Sequence, residues 1–141
     1  MKIYEESHII HWQAANTAIV AAVEKALELG ININVAVVDS GGNLAGFLRM
    51  PNAFLHSIDI AIDKAYTSAG FRFPTSQWKD IFANEAMLAK GMPPRDRLVV
   101  FGGGVPIEIE GKSLGAIGVS GGSEEQDIIC AKAGMAALLA Q

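Results

Sequence analysis

Residues 98–127 read LVVFGGGVPIEIEGKSLGAIGVSGGSEEQD, and the fold turns on them. Val99, Val100 and Phe101 favour extended backbone and stop at Gly102-Gly103-Gly104. Val105, Ile107 and Ile109 then alternate with Pro106, Glu108 and Glu110, the period of a half-buried strand. Glu110-Gly111-Lys112 turns the chain, and Leu114 to Val119 return as a strand of small and branched residues. Ser120-Gly121-Gly122 strips side chains from the backbone before Ser123, which with Gln126 three residues on fits a capping box. Glu124, Glu125 and Asp127 fill the first turn of the helix that follows and suit its positive end. They also argue against a phosphate there. Consecutive glycines weaken a fold unless positive φ or close approach is required. Two readings stay open: tight turns, or main chain bared against a ligand or another subunit.

Working back towards the N-terminus, two further hairpin and helix patterns appear. Ile33 to Val38 form a strand ending at Asp39, Ser40-Gly41-Gly42-Asn43 turns, and Leu44 to Met50 return with Arg49 near the end. Before this hairpin, Ile9, Trp12, Ile19, Val23 and Leu27 recur at helical spacing, predicting a helix over 7–29 with Gly30 after it. His8 and His11 are three apart on its first turn, a spacing that permits a metal or haem iron ligand, but no Asp, Cys or Glu motif completes a metal site there, which favours two exposed histidines near a frayed end. A second helix is expected over 53–69, with Asn52 as a candidate cap. Its wet face carries His56, Asp59 and Asp63. Lys64 sits one step off that face beside Ile60, Ala61 and Thr67, either reaching water or holding a ligand carboxylate. Phe71 to Thr75 connect to a shorter helix through Trp78, Ile81 and Phe82. From Asn84 to Arg97 the pattern dissolves, and Pro93-Pro94 exclude regular helix; this reads as a loop able to cover a groove.

The runs FGGGVPIEIEGKSLGAIGVSGGSEEQD, VAVVDSGGNLAGFLRM (35–50) and SIDIAIDKAYTSAGF (57–71) resemble the GlcG/HbpS-like family, which includes the PduO C-terminal-like domain. The likeness covers nearly the whole chain. It implies an α/β (α+β) fold: a profilin-like, five-stranded, mostly antiparallel sheet covered by helices. Short links between neighbouring strands agree with antiparallel pairing. It implies a small-molecule binding protein, with haem or a related tetrapyrrole as ligand. The matching groove would be walled by Arg49, Lys64, Thr67, Phe71 and Phe101 and floored by Gly103, Gly104 and Pro106, with Ser120 and Gly121 offering backbone. Relatives often place an acid straight after the residue matching Met50, where this chain has Pro51-Asn52. Some relatives bind haem through a histidine near the first helix, which puts His8 forward as an iron ligand.

Composition bounds the alternatives. The 141 residues make one domain, and half of them are hydrophobic against 18% charged. Surplus apolar surface predicts a homo-oligomer. A net charge of −4 without a basic run excludes nucleic acid as a natural partner. No apolar stretch is long enough for a membrane span and no signal peptide is seen, so a cytoplasmic protein is expected. The single cysteine, Cys130, lies in an apolar helix and reads as a buried thiol, not a nucleophile. Gly111-Lys112-Ser113 opens a strand, not a helix, so it is no phosphate loop. A second function class is a small catabolic enzyme acting on a carboxylate metabolite. Arg49 or Lys64 would hold the acid, glycine amides would stabilise an oxyanion, and Asp39 would be the base. A third is an accessory subunit without a ligand.

Overall fold

The structure, a computed structural model, describes residues 1–141. Helix α1 spans Trp12–Leu29, strands β1 and β2 span Asn34–Asp39 and Leu44–Arg49, and helix α2 spans His56–Phe71. A 3-10 turn at Thr75–Gln77 leads into the short helices α3 (Trp78–Asn84) and α4 (Ala86–Gly91). Strands β3 (Gly104–Ile109) and β4 (Lys112–Ser120) and helix α5 (Glu124–Leu139) complete the chain.

The sheet has four strands in the order β2-β1-β4-β3, every neighbour antiparallel. The α+β class and the antiparallel pairing follow the expectation; the strand count does not. Val99 to Phe101 form no strand, because their neighbourhood uses its amides otherwise. Val99 N–H donates to Thr67 Oγ1 at 3.1 Å and Gly102 N–H donates to Glu124 Oε2 at 2.8 Å, so no ladder forms.

Alternation along β1 sorts the two faces. Val35 and Val37 point towards α1 and α5 and join Ile19, Ile107, Ile117, Val119 and Cys130 in the main core. Ala36 and Val38 point towards α2, where they meet Ala61, Ala65, Ala69 and Ala116. That second layer is thin by composition. A Cβ on Gly118 would collide with the Ala61 carbonyl, so only glycine lets α2 lie this close to β4.

Helix boundaries shift for local reasons. α1 starts at Trp12, not Ser7, because Ile10 is buried and its amide donates to the Leu114 carbonyl at 3.0 Å, holding the preceding segment alongside β4. His11 then caps α1, its Nδ1 accepting from Gln13 N–H at 3.2 Å. Asn52 turns with φ of 70° and does not cap α2, which begins four residues later. The capping box at Ser123 and Gln126 and the left-handed Gly30 after α1 form as the sequence predicts. Ala86 to Lys90, good helix formers, make α4 within the stretch expected to be loop. No helix is long and apolar enough to cross a membrane.

Candidate functional site: a sealed glycine corner and an open histidine cleft

α2 carries Lys64 against the turn before β3. The lysine is 1% exposed; its Nζ donates to the Val119 carbonyl at 2.8 Å and to Asp127 Oδ2 at 3.1 Å. Asp127, in the first turn of α5, accepts Gly122 N–H on its other oxygen at 2.9 Å. Burial is the largest influence on both groups. It lowers the pKa of Lys64 and raises that of Asp127, and each partner's charge opposes the other's shift. Phe101 lies over the ammonium, 5.1 Å from ring centroid to Nζ, and shields it from water.

The glycines serve this pair. Gly103 has φ of 129°, and a Cβ there would stand 2.5 Å from the Val119 carbonyl and 2.6 Å from Lys64 Nζ. Gly104 N–H donates to Thr75 Oγ1 at 2.9 Å. With Gly102 bound to Glu124 and Gly122 to Asp127, three turn amides point into the protein. The open question about the glycines therefore resolves as close approach to the protein's own helices. These amides form no oxyanion hole, and two of the three Lys64 N–H donors are taken by Val119 and Asp127.

Of the other predicted residues, Ser120 and Gly121 directly follow Val119 at this corner, and the rest lie outside it. Ser120 is buried at the end of β4, opposite Asn34, which in turn lies opposite Arg49. Two strand spacings of about 4.8 Å put Arg49 roughly 10 Å from Ser120. Arg49 is exposed and its Nη2 donates to the Ala53 carbonyl at 2.9 Å. Asn34 Nδ2 donates to the Phe54 carbonyl, while its Oδ1 is buried without a partner. Gly121, with φ of 143°, packs against Asn32. Pro106 is half-buried in β3 opposite Ala116. Thr67 is buried and donates to the Arg97 carbonyl at 2.9 Å. Phe71 ends α2, its ring 4.9 Å from that of buried Trp78.

His8 lies at the opposite end of the sheet from the glycine turns. Asn34, at one end of β1, pairs with Ser120; Asp39, at the other, pairs with Gly115. Five residue steps separate them by about 17 Å. Ser40, next to Asp39, donates its hydroxyl to the His8 carbonyl at 2.6 Å, which leaves the imidazole free. A cleft of about 600 Å³ opens here, and His8, Ile9, Arg72 and Lys112 line it together with Asp39 and Glu6. Asp39 is spent on its own turn: Oδ1 accepts Gly41 N–H at 2.9 Å and Asn43 N–H at 3.0 Å. It is not placed to act as a base beside Lys64. Arg72 and Lys112 are the cleft residues that sequence reasoning passed over. In sequence Arg72 belongs to the connector after α2; in the structure it holds φ of 64° at the end of that helix. His56 starts α2 at the far end, away from His8. No three His, Cys, Asp or Glu side chains converge on a metal position.

Comparison with known proteins follows the same outline. A 15.0 kDa protein of Citrobacter freundii, encoded between dhaT and dhaS, is 42% identical over 121 residues, spanning 84% of this chain and 85% of its own. The solved Klebsiella pneumoniae protein ORFY superimposes with a TM-score of 0.91 at 30% identity, covering 100% of this chain and 98% of that one. PduOC, solved as a haem complex, superimposes at 0.84 with 32% identity, covering 92% and 94%. The family model described as haem degrading protein HbpS-like matches residues 10–136, and the chain belongs to that HbpS-like family.

Proposed function

We propose that this protein binds haem, or a related tetrapyrrole with carboxylate arms, in the cleft beside His8. One observation carries the reading: a free imidazole and two cations, Arg72 and Lys112, line a single cleft of about 600 Å³. The size falls in the usual range for cofactor sites, roughly 300–1,000 Å³. His8 would hold the iron through a ring nitrogen, and Arg72 and Lys112 would meet the propionates. The group, when bound, supplies iron whose reactivity the axial ligand tunes. The solved haem complex of a 32% identical relative supports the choice of ligand.

Ile9 is the sole hydrophobic residue in the cleft wall, so one face of a flat ligand would stay wet in a single subunit. Apolar side chains are exposed nearby and along α1, among them Ile9, Trp12, Val20 and Leu27. Leu44 and Leu48 are exposed on the edge strand β2. A second copy of the chain covering this surface would complete the pocket, which is the form of homo-oligomer we propose.

Titration with haemin tests the reading. A saturable Soret shift is expected in the wild type and in His56→Ala, and its loss in His8→Ala. No saturable shift in the wild type, or full retention in His8→Ala, would remove His8 from the site.

A further inference from the structure

A second cavity lies next to the His8 cleft along α2, where the segment after α4 folds back onto the helix. Four contacts pin that segment. The Arg97 guanidinium stacks on Tyr66, 3.6 Å from the ring centroid, and its Nε reaches Asp63 Oδ1 at 3.1 Å. The Thr67 hydroxyl donates to the Arg97 carbonyl at 2.9 Å and accepts Val99 N–H at 3.1 Å. Arg97 itself adopts φ of 61°, a left-handed conformation that is strained for a non-glycine residue and persists only where surroundings enforce it.

The pinned segment encloses about 190 Å³ against the helix. Tyr66, Gly70 and Phe71 line it from the helix, Met92 and Leu98 line it from the facing segment, and the exposed Arg95 and Asp96 border it. This volume is too small for a tetrapyrrole. It suits one aromatic ring, since apolar cavities of about 150 Å³ accept benzene. Gly70 presents no side chain to this space, and a Cβ built there meets no atom within 4 Å. The ion pair of this region is Arg97 with Asp63, so the Arg95 fork is left to meet an anion. Asp96 on the same rim penalises a second negative charge.

We propose that the cavity between α2 and residues 92–98 is a binding site for a single-ring aromatic monocarboxylate. The ring packs between Tyr66, Phe71, Met92 and Leu98, and the carboxylate meets Arg95. The loop is held in its final shape by Arg97 before any ligand arrives, so little ordering cost opposes binding. The site is independent of the haem reading and shares no residue with the His8 cleft.

The test is fluorine NMR with 4-fluorobenzoate as probe and 4-fluorobenzamide as its uncharged control. Wild-type protein is expected to bind the benzoate saturably, with a Kd at or below about 1 mM, the affinity of roughly 4 kcal/mol that so small a ligand supplies. Arg95→Gln should weaken the benzoate about tenfold and leave the benzamide unchanged. Gly70→Leu fills the cavity from a position with free space, so it should abolish binding while thermal unfolding and helix content are maintained. The same variant should titrate with haemin as the wild type does, which separates failure of one site from failure of the other. Absence of saturable benzoate binding in the wild type, or undiminished binding by Gly70→Leu, would overturn the proposal.

Discussion

Lys64 Nζ and Asp127 Oδ2 meet at 3.1 Å across 63 positions of sequence, with both side chains at or below 5% exposure. The contact ties α2 to the start of α5, and the Val119 carbonyl and the Gly122 amide each bond one further group of the pair. A buried pair of this kind adds little net stability, but losing one member strands the other charge in a dry place. Lys64→Met should therefore cost about 3–5 kcal/mol in urea unfolding, whereas Lys64→Met with Asp127→Leu should cost less than the single change. A single-variant cost below about 1 kcal/mol would mean that water reaches Asp127.

The glycine turn makes a matched prediction. Gly103→Ala places a methyl on a backbone with φ of 129° and 2.5 Å from the Val119 carbonyl. Strain and collision together should cost roughly 2–5 kcal/mol. Gly70→Ala lies in a helix with open space at its Cβ and should stabilise by about 0.5–1 kcal/mol. Paired thermal melts compare the two directly. Equal effects would show that Gly103 is not sterically required.

The hairpins and the Lys64–Asp127 pair mark where the sequence is legible and where it is not. Alternation in 105–109 and the turn residues at 39–43 announce their hairpins, because the cues lie within a few positions of each other. Ser123 and Gln126 do the same for α5. Lys64 is different. Its neighbours at helical spacing, Ile60, Ala61 and Thr67, suit an open groove as well as a closed core. Its partner, Asp127, reads locally as an acid favouring the α5 terminus. The signal that points inward is the run of small residues Ala61, Ala65 and Ala69, which allows α2 to approach the sheet until a lysine has no exit. The Arg72–Lys112–His8 cleft joins residues from three segments whose proximity depends on the antiparallel register, so no local pattern reveals it.

Cys130 supplies a pH dependence with a definite sign. The thiol is fully buried in α5, and burial, then the charge of Asp127, push its pKa from 9.0 up to about 11. Between these values the unfolded chain has lost the proton and the folded one retains it. Stability contributed by the protonated thiol is thus complete below pH 9 and is lost as pH rises through 11. The difference in unfolding free energy between wild type and Cys130→Ala should change in that window and be flat from pH 6 to 8. In the native state at pH 8 the thiol should resist disulfide reagents and react only on unfolding. Rapid modification of folded protein would contradict the burial.

Arg72 and Lys112 allow the haem site to be tested apart from its iron ligand. Both are exposed, so each contributes as a solvated ion pair and not as a buried one. Arg72→Gln or Lys112→Gln should weaken haemin binding only about two- to fivefold, and the two together by the product. Neither should alter the Soret position, because the iron environment at His8 is unchanged. The dimethyl ester of the porphyrin, lacking the anionic arms, should bind all four proteins alike. Salt should weaken the acid form in the wild type more than in the double variant, since screening acts on the contacts that the variant has already lost. If the ester and the acid lose affinity equally in the double variant, Arg72 and Lys112 shape the cleft without meeting the carboxylates, and the propionates must point elsewhere.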